Sequence, residues 1–193
     1  MNNKKKVVIK KEKSLLDDYF KVDEAFLVFQ KNDGSMSKEI RRLNFKREDS
    51  SCALLYNKEK NSLLLVNQFR YPSFTKGEGY LSELPAGIIE NNDNPEETIV
   101  RELVEETGYE IKIPTLLYCF FPSPGISSER CFLYYAEVID KDKKQAGGGL
   151  ASENEDIETM WISRNQVREV LNKGDIKDAK TIIALQWFLL SGF

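Results

Sequence analysis

The chain is expected to fold as an α+β domain preceded by a short N-terminal antiparallel sheet, and three observations lead there. Apolar runs of strand length, "CALLYN" (52–57), "SLLLVNQF" (62–69), "LLYCFF" (116–121) and "CFLYYAEV" (131–138), are separated by polar or Gly/Pro-bearing breaks. Three further segments read as helices, the first with start and stop signals and the last apolar at helical spacing. With 193 residues, 41% of them hydrophobic, the chain is long enough to bury a core as one domain, or one domain with a small appendage.

The elements follow in order. The basic start "MNNKKKVVIKKEK" reads as an edge strand or a solvated arm, since its apolar run "VVI" is far too short for a signal peptide or membrane span. "AFLVFQ" (25–30), the turn signal "NDGS" and "KEIRRLNFKR" (38–47) read as a hairpin, and residues 52–57 and 62–69 as another, joined through "KEK". "YPSFTKGEG" is a loop and "GYLSELPAGII" closes a further strand. Asn94 is placed as the N-cap and Pro95 as the first residue of a helix running to Thr107, which Gly108 stops. "PSPGISSER" connects two strands, "KDKKQAGGGLASENED" is a long flexible loop, and "IETMWI" is a strand. "SRNQVREVLNKG" and "DAKTIIALQWFLL" are the last two helices.

Composition excludes several chemistries. A net charge of -3 gives no basic field for nucleic acid, and no segment spans a membrane, so a cytoplasmic protein with neither partner is expected. Cys52, Cys119 and Cys131 lack zinc or thioredoxin spacing and lie in apolar runs, which reads as three buried free thiols. The chain contains no histidine, so Ser-His-Asp hydrolysis and HExxH zinc sites are excluded, and any acid–base work falls to carboxylates, Lys or Tyr.

The stretch "RELVEETGYE" (101–110) sets Glu102, Glu105 and Glu106 beside one another on a helix, where like charges repel. Arg101 is spaced to pair with Glu105, which leaves Glu102 and Glu106 without a local partner. At 31% charged residues, a solvated acidic face stays open beside a metal site. Carboxylates one turn apart on a rigid helix suit Mg²⁺, a hard cation that takes oxygen ligands and keeps several waters.

Written from Gly87, the segment is "GIIENNDNPEETIVRELVEETGY", and it resembles the Nudix box. Gly87, Arg101, Glu102, Leu103, Glu105, Glu106 and Gly108 match that pattern at its spacing. Asp93 stands where the pattern has glutamate, and Tyr109 takes its last apolar position. The flanking "LVNQFR" (65–70), "ELPAGII", "SPGISSER", "ENEDIE" and "TIIALQWF" resemble the ADP-ribose pyrophosphatase branch, while "QAGGG" and "GDIKDAKT" resemble the GDP-mannose hydrolases as much.

The resemblance implies an α/β/α sandwich with a mixed sheet over residues 51–193. It also implies an N-terminal strand subdomain, residues 1–50, that serves a homodimer interface. It implies Glu102, Glu106 and the carbonyl of Ala86 as ligands of Mg²⁺, with Mn²⁺ as a substitute and Glu155 as a further ligand. Glu105, oriented by Arg101, completes the catalytic face. Glu153 is the implied general base, since carboxylates bound to a cation are poor bases. Arg70 would hold the substrate phosphates and Glu129 the nucleotide or terminal sugar. The implied reaction is hydrolysis of a nucleoside diphosphate sugar, ADP-ribose first and GDP-mannose or UDP-glucose second. A non-hydrolytic ADP-ribose sensor is the reading from another class. "GGG" (147–149) is read as a hinge that lets the loop close over substrate.

Overall fold

A computed structural model describes residues 5–90 and 93–192; the side chain of Glu153 lies outside the described residues. The chain divides into two compact units, Met1–Glu48 with Ser123–Glu129, and Asp49–Pro122 with Arg130–Phe193.

The first unit is a three-stranded antiparallel sheet in the order β1 (Val7–Asp17), β2 (Lys21–Phe29), β3 (Ile40–Lys46). From Val7 onward the basic arm is therefore an edge strand. Glu24, buried on β2, takes Lys13 from β1 at 3.2 Å and Arg41 from β3, so one carboxylate fastens all three strands. The expected hairpin of residues 25–30 and 38–47 is present, with Leu27 opposite Ile40.

The second unit is built on a mixed sheet in the order β10-β5-β4-β9-β8. Its strands are β4 (Ser50–Asn57), β5 (Ser62–Phe69), β8 (Thr115–Phe120), β9 (Cys131–Val138) and β10 (Glu158–Ser163). Two short strands, β6 (Tyr80–Glu83) on β5 and β7 (Ala86–Ile88) on β4, complete it. The pairing of β4 with β9 is parallel, which makes the sheet mixed.

Alternation decides what each face meets, because successive strand residues point to opposite sides. Leu54, Leu63, Leu65 and Leu133 face α3 (Val167–Lys173) and α4 (Ala179–Leu190), packing on Val167, Leu185 and Phe188. Ala53, Leu55, Leu64 and Val66 face the other way, onto Ile99 and Leu103 of α2 (Pro95–Glu102) and its continuation. Helices thus cover both faces, the α/β/α sandwich expected. Asp178 caps α4, its carboxylate accepting from the Thr181 amide at 2.9 Å, as Asn94 caps α2 by accepting from Glu96.

Two details differ from expectation. The loop after β5 contains one helical turn, α1 (Tyr71–Phe74), started by Arg70 and Pro72. Cys119 is exposed: it lies on the outermost strand β8, whereas Cys52 and Cys131 are buried on adjacent central strands with their sulfurs 3.4 Å apart. Among the described residues no helix is long and apolar enough to cross a membrane.

Candidate active site

The glutamate helix is α in its first half and π in its second. Pro95 and the Asn94 cap start it, Glu96 and Glu97 complement the positive end of its dipole, and Ile99 anchors it in the core. From Leu103 to Thr107 it becomes a π-turn, and Gly108 ends it in the left-handed conformation at φ 77. Such i→i+5 turns are rare and frequently lie at functional sites.

Glu106 is the buried member of the acidic face, 2% exposed, and its Oε2 accepts from the amide of Ala86 at 3.1 Å. Burial raises its carboxyl to a pKa of about 8, and repulsion from Glu102 adds to this; the Ala86 hydrogen bond opposes the rise, Glu155 adds to it and Arg70 opposes it. Glu102 lies over the backbone of β7. A Cβ on Gly87 would fall 2.1 Å from the Glu102 carboxyl carbon, so only glycine leaves room for it. Arg101 binds Glu105 at 3.2 Å as its spacing suggests, and also Glu102 at 3.1 Å. The expectation that Glu102 lacks a local partner is therefore corrected: the long guanidinium arm forks between a neighbour and a residue one turn on.

These residues fit a divalent cation. A buried carboxylate beside a second one, held by a single amide, is a costly arrangement that a cation relieves. Among the described residues no three His, Cys, Asp or Glu side chains close on one point, so the chain offers a partial ligand set. Mg²⁺ suits such a set, because it takes remaining positions from water, backbone carbonyls and phosphate oxygens.

Arg70 sits at the end of β5 and forks onto Glu83, with Nε and Nη2 each 3.1 Å from a carboxylate oxygen. Lys180 of α4 reaches the same carboxylate at 2.8 Å and Asp178 at 2.9 Å. Burial works to raise the Glu83 carboxyl, but the two cations outweigh it and hold it below the ordinary carboxylate range. Sequence reasoning missed Glu83 and Lys180. The signal available was "ELPAG" and "DAKT", motifs noted only for resemblance.

The acidic loop reaches the same unit by another route. Glu155 accepts from the Leu150 amide at 2.9 Å, and its charge is felt at Glu106. Glu153 closes the 3-10 turn Ala151–Glu153, and its side chain lies outside the described residues. The triple glycine departs from the hinge expectation. Gly148 donates to the Glu106 carbonyl at 2.8 Å and Gly149 to that of Glu105 at 3.1 Å, so the backbone is pinned to the helix end. Asp93 is exposed ahead of α2, its amide donating to the Glu90 carbonyl. Glu129 belongs to the N-terminal unit, where it pairs with Arg47 at 3.5 Å.

Within one unit the structure thus gathers Ala86, Glu102, Glu105, Glu106, Arg101, Arg70 and Glu155. The arrangement can hold a hard cation against a buried carboxylate, and the Nη1 side of Arg70, whose Nε and Nη2 are taken by Glu83, can meet phosphate oxygens. Known proteins match it over almost the whole chain. The family model described as NUDIX domain matches residues 46–185. A GDP-mannose pyrophosphatase of Enterobacter sp. (strain 638) is 35% identical over 189 residues, covering 97% of each chain. Proteins of the same name from Shigella flexneri serotype 5b (strain 8401) and Escherichia coli O1:K1 / APEC are 34% identical over 187 residues, covering 96% of each chain.

Proposed function

The chain belongs to the Nudix family, and from that premise we propose that it hydrolyses the diphosphate of a nucleoside diphosphate sugar, with GDP-mannose as the first candidate. The observation that carries the reading is the buried Glu106 carboxylate, backed by Glu102 and the Ala86 backbone on the helix that bears the family's motif. The sequence ranking put ADP-ribose first. The names of relatives matched over their full length favour GDP-mannose, so the order is reversed.

Each residue has a task in this reading. Glu102, Glu106, the Ala86 carbonyl and Glu155 would hold Mg²⁺, or Mn²⁺ in its place. When bound, such an ion neutralises the diphosphate and lowers the pKa of attached water. Arg70 binds phosphate oxygens through Nη1, the side of its guanidinium not held by Glu83, which keeps the group in plane. Arg101 fixes Glu105 and Glu102 in orientation. Glu153 takes the proton as a water oxygen bonds to phosphorus and the bridging P–O bond breaks. GDP-mannose then gives GMP and mannose 1-phosphate.

The assembly proposed is a homodimer through residues 1–50, with the hydrolase domain over 51–193 and the cytoplasm as compartment. Support for the dimer comes from Val7, Ile9, Leu15, Leu16 and Tyr19, large apolar residues exposed in and beside β1.

The test is a panel of GDP-mannose, ADP-ribose and UDP-glucose with Mg²⁺, products read by mass. GDP-mannose is expected to have a kcat/KM at least about tenfold above ADP-ribose, a ratio within reach of a site that hydrogen-bonds base or sugar. All cleavage should stop with chelator. ADP-ribose as the better substrate would restore the sequence ranking and keep the chemistry. Binding without cleavage of any would favour the sensor.

A further inference from the structure

A helix end leaves carbonyls without intrahelical partners, and those of Glu105 and Glu106 find theirs in a later loop. The Leu103 carbonyl accepts from the Thr107 hydroxyl and the Val104 carbonyl from the Gly108 amide at 3.0 Å. The next two, Glu105 and Glu106, accept from Gly149 and Gly148 at 3.1 and 2.8 Å. Gly108 in turn accepts from the amides of Lys144 and Gln145. The far end of the loop is held as well: the Ile157 amide donates to the Gly148 carbonyl at 3.2 Å, and the Ile157 side chain is buried in the core beside Leu103.

Only glycine permits this docking. Gly147, Gly148 and Gly149 have φ of 76, 107 and 82, values that side chains with a Cβ rarely adopt. A Cβ on Gly147 would stand 2.6 Å from the Thr107 carbonyl carbon and 2.7 Å from the Glu106 oxygen. On Gly149 it would stand 2.6 Å from Glu155 Oε2. The triplet therefore touches the backbone that carries Glu106 on one side and the loop carboxylate on the other.

We propose that Gly147, Gly148 and Gly149 are positioning residues: a clamp that keeps the acidic loop docked on the carbonyl end of the glutamate helix, so that Glu155 and the Ala151–Glu153 turn stay in place through turnover instead of arriving with a closing lid. That this placement serves hydrolysis rests on the function proposed above; the docking itself does not.

Two measurements on the full chain separate the parts. Amide hydrogen exchange by NMR, with and without Mg²⁺, compares Gly148 and Gly149 with Gly108, whose bond lies within the helix end. Protection within about tenfold of Gly108 is expected, because one cooperative unit opens as one. Exchange more than about tenfold faster overturns the clamp. Gly147→Ala is then compared with Gly174→Ala, a matched control at φ 72 with nothing within 4 Å of an added Cβ. With the best substrate, Gly147→Ala should lower kcat at least about thirtyfold with KM within threefold, and Gly174→Ala should change kcat less than twofold, since misplacing a reacting group acts on the transition state. Equal kcat in both variants overturns the positioning role. Should Gly147→Ala not fold, exchange in the wild type still decides. Wild type that cleaves no nucleotide sugar would remove the functional reading and leave the exchange result to judge the docking.

Discussion

The most direct consequence of the site is a pH-dependent weakness of the cation-free protein. Glu106 titrates at about 8 in the folded chain against an ordinary value of 4.5. Below pH 4.5 it is protonated folded or unfolded and contributes no difference. As pH climbs from 4.5 to 8 the unfolded chain releases its proton while the folded chain retains it, so folding loses free energy over that window. Above 8 the loss is complete. A gap of about 3.5 pH units, at about 1.4 kcal/mol each, amounts to at most about 5 kcal/mol. That is comparable to the whole stability of a modest domain. Glu106→Gln keeps the shape and an oxygen for the Ala86 amide but does not titrate. Urea unfolding followed by circular dichroism, in chelator at pH 5, 6.5 and 8, should show the variant gaining on the wild type as pH rises, by a few kcal/mol at pH 8. Saturating Mg²⁺ should recover the wild type selectively, by about 2.7 kcal/mol at a hundredfold excess over Kd. Parallel pH profiles of the two proteins in chelator would refute the reasoning.

Three further outcomes are expected. Glu153→Gln should lower kcat by about 10²- to 10⁴-fold with KM little changed, and a rise in KM alone would move the base elsewhere. Glu83→Gln should cost about 3 kcal/mol of stability, because it removes the buried charge that the Arg70 fork and the half-buried Lys180 share; unchanged urea midpoints would show the network to be idle. Light scattering at micromolar concentration should give the mass of a dimer, and a monomer would remove the role proposed for the N-terminal strands.

Local pattern carried most of the fold. The strands at 52–57, 62–69 and 131–138 were legible because their apolar runs are bounded by turn residues, and α2 because Asn94, Pro95 and Gly108 mark its ends. The glutamate face was legible from spacing, and its chemistry from the family motif. What stayed hidden depends on distant partners. The π-turn needs carbonyl partners from a loop some forty residues on, and nothing in "LVEET" announces them. Glu83 meets Lys180 across 97 residues of chain, a juxtaposition that only the packing of α4 against the sheet creates. Arg101 was assigned one partner by helix spacing and has two, since side-chain reach is not periodic. A run of three glycines signals freedom in a chain without neighbours; here the same absence of Cβ allows a close fit.

The distribution of cations bears on the metal site proposed for Glu106. Arg70, Lys180 and Arg101 all stand near the acidic groups, enough positive charge to neutralise a single carboxylate several times over. Yet Glu83, 3% exposed, engages both Arg70 and Lys180, and Arg101 is divided between Glu102 and Glu105. Glu106 is left with the Ala86 amide, a neutral donor. Geometry enforces the division. Arg70 reaches Glu83 in a two-point fork, and turning to Glu106 would give up both of those hydrogen bonds and leave a buried carboxylate with Lys180 alone. Glu106 is therefore left to a proton in the cation-free chain or to an ion from solution. A mobile divalent cation brings what a fixed arginine does not: open positions for water and for phosphate oxygens. On this argument the Arg70–Glu83–Lys180 network preserves the metal face by withholding its own cations from it.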